Sequence, residues 1–179
     1  MTIHITPWER RELPFGRGPG ELPALLERLL GTPARLMALT MHEAPEKLSM
    51  RMQGRWSVLE HIGHLVHLQD RFDERVEDFA ARRPCLCHID LEGQDRLLPG
   101  YTGRALGDVL EEFRLKRSYF VERLTELDPG ALDHRAEHPC SRMMMSVVDM
   151  ATWLAEHDDH HLLSIRAMLQ AGGRRSIAG

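Results

Sequence analysis

Four long stretches of this chain carry apolar residues at the spacing of an amphipathic helix, and that pattern constrains the fold more than any other feature. The clearest is the second. Val58, Ile62, Leu65, Val66, Phe72, Val76 and Phe79 recur every three or four residues. Ser57 followed by Glu60 is a capping box that marks where the helix begins, and Arg82-Arg83-Pro84 marks its end near Ala81. The fourth stretch opens the same way, with Ser146 and Asp149, and runs through Met150, Trp153, Leu154, Leu162, Ile165 and Met168 to about Ala171. A first helix is predicted over 21–41, with a kink or restart at Thr32-Pro33, where Thr32 is placed to cap a new turn. A third is predicted over 104–127, stopped by Asp128-Pro129-Gly130.

At about 1.5 Å per residue the three longest helices reach roughly 35–40 Å each. No strand alternation and no internal repeat interrupts the pattern. Four amphipathic helices of similar length predict an all-α four-helix bundle. Residues 1–20, with Pro7, Pro14 and Pro19, read as an irregular arm laid over a single domain that spans 21–179. Residues 84–103 are too long for a tight turn and fit a crossover between helices that are not antiparallel neighbours. Residues 131–145 read as a second irregular connection.

Composition excludes some classes. The 179 residues suffice for one domain, and a net charge of −4 argues against a protein that grips nucleic acid by neutralising phosphates. No apolar run approaches ~18 residues, so no membrane span is expected. Met1 to Trp8 lacks the layout of a signal peptide. Three cysteines without framework spacing suggest reduced thiols and a cytoplasmic setting.

The chain holds eleven histidines, and several fall where chemistry is expected. In Glu156-His157-Asp158-Asp159-His160-His161 the first and last histidines are four apart. On a helix they stack on one face and can form half of a transition-metal site. The second helix carries His61, His64 and His67. Steps of three turn about 300° on a 3.6-residue helix, so these cannot share one direction. His61 falls nearest the apolar face, His64 at its edge and His67 away from it. Periodicity alone leaves both His61 and His64 open as ligands.

Asp158 and Asp159 read as solvated helix charges, and Arg114, Lys116 and Arg117 as a solvated basic face. Glu60 reads first as a cap residue. Glu60 and Asp158 are also the two carboxylates that could serve as catalytic acid or base. Trp56 and Trp153 read as core residues, Met143-Met144-Met145 as gap-filling cover. Cys85-x-Cys87-His88 lacks the partner pair of a zinc site.

Trp56-Ser57-Val58-Leu59-Glu60-His61-Ile62-Gly63-His64-Leu65 and His157-Asp158-Asp159-His160-His161 resemble the W-S-x-x-E-x-x-x-H-L and H-D-x-x-H motifs of the DinB superfamily, the YfiT-like metal-binding bundles. The likeness covers nearly the whole chain. It implies an up-down-down-up bundle and a single divalent metal ion held by His64, His157 and His161. Zinc or nickel suits such donors best, with iron and manganese also open. It departs from the family in carrying His67 where an acidic residue is usual. The resemblance further implies a homodimer and a small-molecule substrate, and family members with assigned activities include thiol S-transferases. The expectation is therefore a metal-dependent transferase that uses a low-molecular-weight thiol. The alternatives are a metal-dependent hydrolase and a non-enzymatic metal-binding module.

Overall fold

The computed structural model describes residues 4–52, 54–89 and 94–173. Four long helices carry the structure: α1 (Leu22–Thr40), α3 (Val58–Ala80), α5 (Leu106–Thr125) and α7 (Val147–Gly173). Between them lie three short helices, α2 (Pro45–Ser49), α4 (Gln94–Leu97) and α6 (Pro129–Asp133). A small antiparallel pair, β1 (Ala136–Glu137) and β2 (Met144–Met145), closes the connection before α7. That pair and the short helices are missing from the sequence reading, because two to five residues are too few for a period to show. The arm holds two 3-10 turns, at Trp8–Arg10 and Pro19–Glu21.

Cross-helix contacts give the directions. Arg28 of α1 meets Glu156 of α7, and Arg35 meets Asp159, so α1 and α7 run parallel. Gln69 of α3 meets Arg117 of α5, and Glu77 meets Arg123, so α3 and α5 also run parallel. His61 of α3 faces His161 of α7, while His64 faces His157, so those two run antiparallel. The order is therefore up, down, down, up. Because α3 and α5 point the same way, the chain must return the full ~35 Å of α3 before α5 begins, which needs at least about ten extended residues. That is why the connection is long. It packs back onto α3 at Gly63, where any added Cβ would strike the Tyr101 ring at 2.3 Å.

Both capping boxes form. Ser57 Oγ accepts from the Glu60 N–H at 3.2 Å, and the Glu60 carboxylate accepts from the Ser57 N–H at 2.7 Å. Ser146 and Asp149 repeat the exchange at 3.1 and 3.0 Å. These caps set where each helix starts, and so which way its histidines face.

The predicted restart at Thr32 does not occur. The helix runs through, with Pro33 inside it. Thr32 Oγ donates instead to Asp158, at 2.7 Å. Pro33 has no N–H, which leaves the carbonyl four residues back, that of Leu29, without its helical donor. Arg117 Nη1 fills that vacancy at 3.3 Å.

Two apolar clusters result. One gathers Leu25, Leu29, Phe72, Phe79, Phe120 and Leu154. The other gathers Leu36, Ile62, Leu65, Phe113 and Ile165. Between them, midway along the bundle, sits a buried polar layer built from Thr32, Gln69, Arg117 and Asp158 on one side and three histidines on the other.

Candidate metal centre

His64 on α3 and His157 and His161 on α7 turn their rings to a common point in that layer. They are 6%, 6% and 5% exposed. His64 Nε2 and His157 Nε2 stand 3.3 Å apart, as do His157 Nε2 and His161 Nε2. All three ligand atoms lie within 4.8 Å of one another. Among the described residues this is the one group of three or more His, Cys, Asp or Glu side chains whose ligand atoms converge. Cys85, Cys87 and His88 form no such group.

The spacing can be tested against a bound ion. Two imidazole nitrogens each ~2.0–2.1 Å from zinc at a tetrahedral angle stand about 3.3–3.4 Å apart. The two nearest pairs here have that separation without adjustment. Hydrogen bonding accounts for them less well. An imidazole nitrogen carries one proton or one lone pair, so His157 Nε2 can make one good bond with its two neighbours, and 3.3 Å is long for it. With the third pair, which lies within 4.8 Å, drawn to a like separation, a cation would engage all three lone pairs at once. The residues present therefore fit a divalent metal.

Burial pushes the His157 and His161 imidazoles well below the ordinary histidine range, and each suffers further from the other histidines around it. They remain neutral, the form in which imidazole binds metal.

The surroundings are aromatic. Trp153 stacks on His157 with ring centres 4.7 Å apart and planes 12° from parallel. Trp8, from the arm, meets the same ring edge-on at 5.0 Å. Trp56 lies 5.0 Å from His64 and is nearly parallel to His161 at 6.2 Å. The sequence placed Trp56 and Trp153 as core residues, but both also wall the centre. Trp8 gives no signal in sequence, since it lies in an arm without periodicity.

His61 does not join the converging group. Its Nδ1 stands 2.8 Å from His161 Nδ1, so one proton lies between the two. With His161 Nε2 turned to the centre as a lone pair, that proton belongs to His161 Nδ1 and His61 accepts it. This is the outer hydrogen bond that fixes tautomer and ring orientation in metal sites. Burial, with smaller contributions from His64 and His160, lowers the His61 pKa to about 4, which keeps it a neutral acceptor. His157 has no equivalent. Its Nδ1 is buried without a hydrogen-bond partner among the described residues. His160 lies beside the group, half-buried, with its ring 5.8 Å from Trp8.

The two carboxylates considered for catalysis lie elsewhere. Asp158 is fully buried and not a solvated charge. It points away from the histidines, toward α1 and α5, and accepts from Arg117 Nη1 at 2.5 Å, Arg117 Nη2 at 3.2 Å and Thr32 at 2.7 Å. Arg117 is likewise 1% exposed and not part of a solvated face. A charge pair this deep can form because each member supplies what the other lacks. Asp159 is half-buried and bound to Arg28 and Arg35. Glu60 accepts from Arg51 as well as from the cap. Burial raises its pKa, but the bonds from Arg51 and Ser57 outweigh that and hold it below the usual carboxylate value. The described contacts of Glu60 and Asp158 therefore run to arginine, hydroxyl and backbone groups.

An up-down-down-up bundle with two histidines from one helix and one from its antiparallel neighbour defines a class of helical proteins built around an inward-facing metal-type centre. The profile of the DinB superfamily matches residues 18–165, and the chain belongs to that superfamily. Among solved structures it resembles YfiT from Bacillus subtilis, described as a probable metal-dependent hydrolase with an unusual four-helix bundle topology. The TM-score is 0.76 at 14% identity, covering 91% of this chain and 94% of that one. No curated protein sequence matches. No helix among the described residues is long and apolar enough to cross a membrane.

Proposed function

We propose that the protein is a metal-dependent enzyme whose single divalent ion, zinc or nickel, is held by His64, His157 and His161. The reaction we assign is transfer of a low-molecular-weight thiol onto an electrophile. The thiol sulfur forms a bond to an electrophilic carbon, the leaving group departs with its electron pair, and the thiol proton passes to solvent. The carrying observation is the set of converging Nε2 atoms with all three rings buried. A divalent ion held by neutral ligands alone keeps its full charge and would acidify a thiol or a water brought to it.

The chain's own residues support this in three ways. His61 holds His161 in the tautomer that offers Nε2. Trp8, Trp56 and Trp153 cover the rings and limit water. Glu60 and Asp158 are bound to arginines, which suits a reaction needing no carboxylate base. The likeness to YfiT favours hydrolysis as the second reading.

Mixing metal-loaded protein with bacillithiol, mycothiol or glutathione and a chromogenic electrophile tests the assignment. Conjugation that needs the metal, the thiol and His157 is the expected result. Ester or amide cleavage without thiol would replace transfer by hydrolysis. Metal binding with neither activity would leave a non-enzymatic module.

A further inference from the structure

One helix face carries the metal-type centre and then continues past it. His157 and His161 are followed on α7 by Ser164, Ala167 and Ala171 at the same three-to-four-residue spacing. Large side chains there would fill the bundle end. These small ones leave a cavity of about 690 Å³. On its other side stand Trp56 and His61, just before His64 on α3. His61 lies three residues from His64, about 4.5 Å along the helix axis, so the space begins one turn from the three histidines. Both walls touch the centre directly: His61 bonds to His161, and Trp56 packs against His64 and His161. The other large cavity, about 560 Å³ beside Arg35 and Asp159, has none of these histidines in its lining.

The lining is mostly apolar, with two methionines and an isoleucine completing it. Its charge is one-sided. Among the described residues, Arg55 is the single Lys or Arg in the lining, and no carboxylate borders the space. Arg55 is exposed, and no ion pair to it occurs among the described residues. Ser164 Oγ donates to the His160 carbonyl at 2.9 Å and so retains acceptor capacity only. Size and polarity match sites for small organic molecules, which are apolar with a few placed polar groups.

We infer that this cavity is the substrate pocket of the centre and takes an organic anion. The ligand class is a molecule with an aromatic or hydrocarbon body seated against Trp56, Ala167 and Ala171, and one carboxylate or sulfonate paired with Arg55. The assignment rests on the enzymatic reading above and names its electrophile class. Its failure is separable from that reading, because binding can be measured without turnover.

The test is a fluorescence titration with two probes of like shape, 1-anilinonaphthalene-8-sulfonate and the uncharged N-phenyl-1-naphthylamine. Each is run on metal-free and zinc-loaded protein. The anionic probe is expected to saturate at one per chain. Arg55→Ala should weaken it about tenfold or more and leave the uncharged probe unchanged. Ala167→Trp should remove both probes, with Ala171→Phe as a second filling variant and circular dichroism as the check on folding. Zinc stoichiometry in Arg55→Ala should be that of the parent. Probe binding that is non-saturable, or indifferent to both filling variants, overturns the pocket. Equal loss of both probes in Arg55→Ala, or of neither, overturns the anion. If zinc binds and the probes do not, the pocket fails while the metal centre stands.

Discussion

His157 and Asp158 are neighbours in sequence and opposites in environment. Each successive residue on α7 turns about 100°, so one segment serves three directions. Glu156 and Asp159 reach Arg28 on α1. Asp158 enters the core toward Arg117 and Thr32. His157 and His161 face α3. On the Asp158 side the hydrogen bonding is dense: Arg117 binds Asp158, Gln69 and the carbonyl exposed by Pro33, over the Phe113 ring. On the histidine side, nitrogens face nitrogens. A bundle able to organise the first arrangement could have organised the second as well. The contrast indicates that one face was built to hold the helices together and the other to hold something between them.

The largest effect should come from breaking the paired side. Arg117→Met leaves Asp158 buried and unmatched, and is expected to cost about 3–5 kcal/mol in urea unfolding. The double variant Arg117→Met/Asp158→Leu should recover much of that loss, since removing both charges removes the mismatch. A single variant as stable as the parent would show that the pair is not a structural tie.

The histidine side should respond in ligand affinity more than in stability. His61→Ala removes the acceptor for His161 Nδ1–H and is expected to weaken zinc binding about 10–100-fold, read by competition with a chromogenic chelator. His61→Gln keeps an acceptor and should restore part of the loss. Unchanged affinity in His61→Ala would remove the positioning role.

The smallest effect is a gradual dependence on pH. Burial lowers the pKa values of His61, His157 and His161 in the folded protein. An unfolded chain takes up protons at these residues near pH ~6.5, before the native state does. Stability of the metal-free protein should therefore hold above that pH and decline as pH falls below it, through about 4 for His61. The unfolding midpoint at pH 7.5, 6 and 5 reads this directly. His61→Gln should flatten the decline, and an equal slope in both proteins would contradict the assignment.

Much of this was legible in the residues. Ser57/Glu60 and Ser146/Asp149 located two helix starts correctly because capping is local chemistry. The crossover length reported parallel neighbours. The i, i+4 spacing of His157 and His161 put both on one face. What stayed hidden depends on partners distant in sequence. Asp158 read as solvated because nothing nearby announces Arg117, 41 residues away. Thr32 read as a cap because Pro33 follows it, but its hydroxyl was needed across the bundle. His61 and His64 could not be separated by periodicity, and in the structure both serve the centre: one faces the common point, and the other supports a ring that does.

Titration of metal-free protein with zinc, set beside His157→Ala, tests the central claim most directly. One ion per chain for the parent, with stabilisation of about 4 kcal/mol when free zinc is 1,000 times Kd, and loss of both in a folded His157→Ala is the predicted result. Equal zinc binding by the two proteins, or none by either, would contradict it.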